Sequence, residues 1–158
     1  MSEIVKGSIH SKSFVLADGD GNTGVLAKTG DITATAGNVV VTGATKGIIH
    51  TNSGTITQGT SATTAVEINT TSGVITTYAA ALAATTNVEF TVTNSTVQAD
   101  SVVLVTMQDE NTEDSKQLAC AIHTVAAGSF IISIVNPHSA TSTSATSSKI
   151  HFLVINNS

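Results

Sequence analysis

The chain has 158 residues, a mass of 16.0 kDa and a net charge of -5, which suits one domain, or one domain with an extended arm. All six basic residues are Lys, Trp is absent and Tyr occurs once, so the basic footprint and the stacking platform of a nucleic-acid binder are both missing. No apolar run approaches the ~18 residues of a membrane span. The start, Met-Ser-Glu-Ile-Val-Lys-Gly, has no apolar h-region, and the single cysteine excludes an intrachain disulfide framework and a cysteine-based zinc site.

Charged residues make up only 11% of the chain, and 27 Thr and 18 Ser take their place. Disordered chains are usually rich in charge, so this polar content points to folded β structure. Thr, Val and Ile favour strands because branching at Cβ packs well on a pleated surface. Gly and Asn interrupt the chain at short intervals, as turns do.

Residues 1–72 are Gly-, Thr- and Asn-rich, with short apolar pieces. Asp18-Gly19-Asp20-Gly21-Asn22 carries oxygen ligands suited to calcium, but Thr23 and Thr29 stand where a calcium loop needs Gly and a bidentate Glu. It reads as a turn. A loose repeat follows: Gly30-Asp31-Ile32-Thr33, Gly54-Thr55-Ile56-Thr57 and Gly73-Val74-Ile75-Thr76. The spacings of 24 and 19 residues define no strict solenoid period. Strands this short need stacking on further repeats or further chains, and three identical chains wound together would supply it.

From residue 73 the pattern becomes that of a continuous β domain. Strands are expected over residues 74–78, 88–93, 102–107, 117–125, 129–135 and 150–155, separated by turn signals, as in a sandwich or jelly roll. The Ala-rich stretch 78–84 is too short for a stable isolated helix and is expected to be a connecting loop. Val88, Phe90 and Val92 alternate with polar residues, as do Leu118, Cys120 and Ile122 with Ala119, Ala121 and His123, so each strand buries one face. Two strands are apolar on both faces. In the first these residues are Phe130, Ile131, Ile132, Ile134 and Val135; in the second they are Phe152, Leu153, Val154 and Ile155. A second apolar face needs a second cover, and these nine residues are the expected interface between copies of the chain.

Chemistry is sparse. Four acids fall within six residues at Asp109, Glu110, Glu113 and Asp114, which suits a solvated hairpin tip. The histidines His10, His50, His123, His138 and His151 are scattered, and His123 and His151 could meet across a sheet or around a three-fold axis. Cys120 lies in an apolar strand and reads as a small buried hydrophobe. Glu67, Glu89 and Asp100 are the default candidates for a glycan-cleaving carboxylate pair, but no nucleophile elbow or phosphate loop accompanies them. No catalytic, cofactor or metal residue is assigned. Asn69-Thr70-Thr71 and Asn94-Ser95-Thr96 match the glycosylation sequon, which carries no weight without a secretory signal.

Two stretches carry a family likeness. Residues 29–43 hold Gly-Asp-Ile-Thr followed by Gly-Asn-Val. The second stretch joins Ser72-Gly73-Val74-Ile75-Thr76-Thr77, residues 88–95 and 100–105, and Ala126-Ala127-Gly128-Ser129-Phe130-Ile131-Ile132 before a closing apolar strand. The chain thereby resembles small structural proteins of tailed bacteriophages: head fibres, capsid decoration proteins and tail-fibre tips. The resemblance implies an all-β protein: an N-terminal, capsid-attaching stalk of short Gly-punctuated strands (residues 1–72), then a C-terminal β-sandwich or jelly-roll-like knob (residues 73–158). It also implies a non-enzymatic homotrimer without cofactors, made in the host cytoplasm and displayed on the virion capsid. Its partners would be itself and the major capsid protein, with a host surface glycan as a further class and neither nucleic acid nor membrane insertion. The alternative role is a receptor- or glycan-binding tip of a tail fibre or tailspike, against which the lone Tyr78 counts.

Overall fold

The computed structural model describes residues 48, 50–108 and 118–157. The stretch around Asp18–Asn22, the first repeat at Gly30–Thr33, His10 and the acidic tip lie outside these residues. Among the described residues the chain is all-β, without a helix. The compact unit begins at Ile48, so the expected boundary near residue 72 falls inside it.

Eight strands follow in chain order: β1 (Ser53–Thr57), β2 (Val66–Glu67), β3 (Ser72–Thr76), β4 (Asn87–Thr93), β5 (Val102–Gln108), β6 (Ala119–Ala126), β7 (Ser129–Val135) and β8 (Lys149–Ile155). They form two four-stranded sheets. Sheet 1 has the order β1-β3-β8-β5 and sheet 2 the order β2-β4-β7-β6. Both are mixed: β1 pairs with β3, and β2 with β4, in parallel, while the remaining neighbours are antiparallel. The expected jelly roll is antiparallel throughout, and the two parallel pairs set this sandwich apart from it.

The parallel pairs arise from how the chain winds. Every connection except β6–β7 passes from one sheet to the other. Thus β1, β2, β3 and β4 alternate between the layers, and each second strand returns beside its predecessor. The winding lays the repeat on itself: Gly54 lies opposite Gly73, Ile56 opposite Ile75 and Thr57 opposite Thr76. The stacking expected from further repeats or further chains is therefore supplied, for these two repeats, within one chain.

A single core lies between the sheets. Sheet 1 contributes Ile75, Val103, Ile150, Phe152 and Val154, and sheet 2 contributes Val66, Phe90, Val92, Phe130, Ile132 and Ile134. The Phe130 and Phe152 rings meet across the layers with centroids 5.7 Å apart in a tilted arrangement, within the range favoured by aromatic pairs. Gly73 is required by this packing. A Cβ there would stand 2.7 Å from the Gly54 carbonyl oxygen and 2.8 Å from Phe152 Cε1.

Three buried amides fasten the loops, and each follows directly after a strand. Gln58, after β1, donates from Nε2 to the carbonyls of Thr64 (2.8 Å) and Ala62 (3.2 Å) and accepts from the Tyr78 N–H (3.0 Å). Asn94, after β4, donates to the Thr70 carbonyl (2.8 Å) and accepts from the Thr96 N–H (2.9 Å). Asn136, after β7, donates to the carbonyls of Leu82, Thr141 and Ala83 and accepts from the His138 N–H. An amide side chain has two donors and an acceptor with which to answer crossing backbones. Because β4 and β7 are antiparallel neighbours, the two asparagines hold opposite ends of the sandwich. The Ala-rich stretch 78–84 is a loop without a helical turn. It closes on a turn at Thr85, which has a positive φ of 56°.

Candidate interaction surface

Alternation along each strand divides the nine residues expected at an interface. Phe130, Ile132, Ile134, Phe152 and Val154 face inward and are buried by the chain's own second layer. This corrects their assignment: in a two-sheet sandwich the opposite sheet covers one face of every strand. Ile131, Val135, Leu153 and Ile155 face outward, the first three half-buried and Ile155 exposed.

The outward residues fall on different faces. On sheet 1, β5 and β8 place Val102 opposite Ile155 and Leu104 opposite Leu153. These two adjacent cross-strand pairs make one apolar patch. Val102 is 46% exposed, Leu104 52% and Ile155 45%. Sequence reasoning missed Val102 and Leu104, although the run Val102-Val103-Leu104-Val105 is apolar on both faces and carried the signal. Beside the patch lies a shallow depression of about 190 Å³, lined by Leu104, Thr106, His151 and Leu153 among others.

The outer face of sheet 2 is more polar. Ile131 and Val135 stand among Asn87, Glu89, Thr91, Ser133, Ala121 and His123. His123 Nδ1 lies 2.5 Å from Glu89 Oε1, and Asn87 Nδ2 reaches both Glu89 Oε1 (3.4 Å) and Ser133 Oγ (3.3 Å). Alternation puts His123 outward, and a bulge between Ile122 and Thr124 leaves it without a cross-strand partner and puts Thr124 on the same face.

The structure does not bring the candidate chemical groups together. His123 lies on sheet 2, whereas His151 lies on sheet 1, where its Nε2 approaches Gln108 Oε1 (3.4 Å), so the two do not meet across a sheet within one chain. Glu67 accepts from Asn69 (2.9 Å) and Glu89 engages His123 and Asn87, while Asp100 stands in the loop before β5. Among the described residues no three His, Cys, Asp or Glu side chains cluster closely enough to hold a metal ion. Cys120 packs against the core, and burial pushes its thiol pKa up, which disfavours the thiolate. Asn94, in one sequon, is fully buried. A separate apolar cavity of about 150 Å³ lies among Tyr78, Leu82, Val88, Leu118 and Ile134.

Comparison with protein-family models, with curated proteins and with solved structures finds no match for the chain.

Proposed function

We propose that the protein is a non-enzymatic structural component of a bacteriophage virion. It is a homotrimeric capsid decoration or head-fibre protein whose N-terminal region binds the shell and whose β-sandwich projects outward. The observation that carries this reading is the patch formed by Val102, Leu104, Leu153 and Ile155 on the outer face of sheet 1. Adjacent, largely exposed aliphatic pairs on the outer face of a sheet favour protein–protein contact over small-molecule chemistry. Burying their exposed halves contributes roughly 1 kcal/mol per side chain, before association costs. Many copies on a shell would raise the avidity of a weak attachment by orders of magnitude.

Light scattering at several concentrations tests the assembly. The expected mass is about three times that of the chain, falling to a single chain mass in the Leu104→Asp, Leu153→Asp double variant with its β-type circular dichroism unchanged. A wild-type monomer overturns the trimer. Electron cryo-microscopy of virions then tests location: three-fold knobs on the capsid surface are expected, and density confined to the tail tip would transfer the protein to the receptor-binding class.

A further inference from the structure

The Ala-rich loop between β3 and β4 walls a hole in one end of the core. At this end β3 and β7 finish, and β4, β6 and β8 begin. The last inward row of sheet 2 sets Val88 beside Ile134 and Ile134 beside Cys120. On the side of sheet 1, Thr77 reaches the same space. It is tied to Ser148: the Thr77 N–H donates to the Ser148 carbonyl (2.9 Å), and the Ser148 N–H donates to Thr77 Oγ1 (2.9 Å). The loops add Ala62, Ala80 and Ala81, whose methyl groups are too short to fill the gap. What remains is the apolar cavity of about 150 Å³. Ile134 is buried at its floor, while Tyr78 and Thr146 are exposed at its mouth.

Packing alone tends to close such a hole, because its apolar walls lose contacts across it. Here buried polar side chains hold the walls apart. Gln58 accepts from the Tyr78 N–H (3.0 Å) and donates to the Ala62 carbonyl (3.2 Å). Thr143 Oγ1 accepts from the Leu82 N–H (2.8 Å), and Asn136 donates to the Leu82 and Ala83 carbonyls (2.9 and 3.2 Å). Gln58, Thr143 and Asn136 are each buried. A preformed apolar concavity with a few polar groups at its rim is the usual form of a small-molecule site. We propose that this cavity binds a monocyclic aromatic compound bearing one small polar group, such as a phenol. An apolar cavity of about this volume stays dry and takes a benzene-sized ring. A rigid ring also gives up less freedom on binding than a flexible chain of the same size. Among the described residues the lining carries no charge, so the ligand is neutral, with its polar group at the Tyr78 and Thr146 hydroxyls. This site stands apart from the virion role and from the apolar patch on sheet 1.

Titration of the full chain with p-cresol, followed through methyl NMR signals, tests the site. Saturable shifts are expected at Leu82, Val88, Leu118 and Ile134, with a Kd of about 1 mM or tighter. No saturation, or shifts centred on Leu104 and Leu153, overturns the proposal. Hexanol is flexible and of similar size, and it should bind at least about fivefold more weakly; equal affinity overturns the aromatic class. Ala80→Leu places a larger side chain in the cavity wall and should weaken p-cresol at least about tenfold, with β-type circular dichroism kept. Ala81→Leu repeats the test from a more exposed position in the same wall. Undiminished affinity in both variants overturns the assignment.

Discussion

The two halves of the sandwich are built differently. The first, β1 to β3, is a coil: strands of two to five residues, parallel pairing of β1 with β3 and of β2 with β4, and a motif of Gly, Ile and Thr laid on itself. The second, β4 to β8, has seven- and eight-residue strands joined to one another in antiparallel pairs and supplies most of the large apolar core side chains, including Phe90, Phe130 and Phe152. The coil half depends on the backbone approaching closely where no side chain stands, and the other half on volume filled by large side chains. Small strands with little apolar area can therefore share a core with strong ones, provided that their register is fixed by identical neighbours and their loops by buried amides.

Substitutions can separate these two modes. The largest effect is expected from Phe130→Ala in the antiparallel half, which empties the centre of the core and should cost about 4 kcal/mol, read as a fall in the urea midpoint. In the coil half, Gly73→Ala adds only a methyl group, yet it drives that methyl into the Gly54 carbonyl and the Phe152 ring. A loss of about 3 kcal/mol is expected, at the upper end for overpacking. The neighbouring Gly54→Ala meets only the side-chain tips of Ile68 and Thr70 at 3.3 Å and should cost under ~1 kcal/mol by the same measure. Equal losses at the two glycines would show that close backbone approach does not limit the coil.

Asn136→Ala strands three carbonyls and an N–H at one end of the sandwich. It should destabilise by about 2 kcal/mol, with amide exchange quickening first in the loops it ties. The smallest expected effect has the opposite sign. Thr85 is β-branched and sits at φ 56°, where glycine is at ease, so Thr85→Gly should be neutral or stabilise by up to about 1 kcal/mol. A clear loss in melting temperature would mean that the Thr85 side chain contributes more than its backbone strain costs.

The antiparallel half was the legible one. Alternation and turn residues placed β7 at Ser129–Val135 and put β4, β5 and β8 within one residue of their bounds. The two-residue β6–β7 turn is marked by Gly128, at a positive φ of 81°, as a turn of this kind requires. The coil half was harder to read because parallel partners lie a full circuit apart and no turn residue announces the pairing. Its one signal was the repeat, whose uneven spacing defines no strict period and left open whether further repeats or further chains stack on it. The interface was half legible. Apolar runs in β7 and β8 flagged two-faced strands, but covering one face is the work of the opposite sheet, and only the outward members remain. Nothing in the sequence distinguished Asn94 and Asn136 as buried, because an asparagine after a strand is equally at home in an exposed turn.

The position of β8 has a consequence for biosynthesis. It is the last of the described strands in sequence, yet it lies between β3 and β5 in the middle of sheet 1. Until it leaves the ribosome, sheet 1 consists of a β1–β3 pair and an isolated β5, with two raw edges flanking a gap. Sequential hairpin growth cannot close that gap, since β8 must insert between strands separated from it by more than forty residues. Such distant pairing slows folding and prolongs the exposure of sticky intermediates. The nascent protein thus carries two unjoined sheet edges from the emergence of β5 until the strand that joins both parts of the sheet is in place.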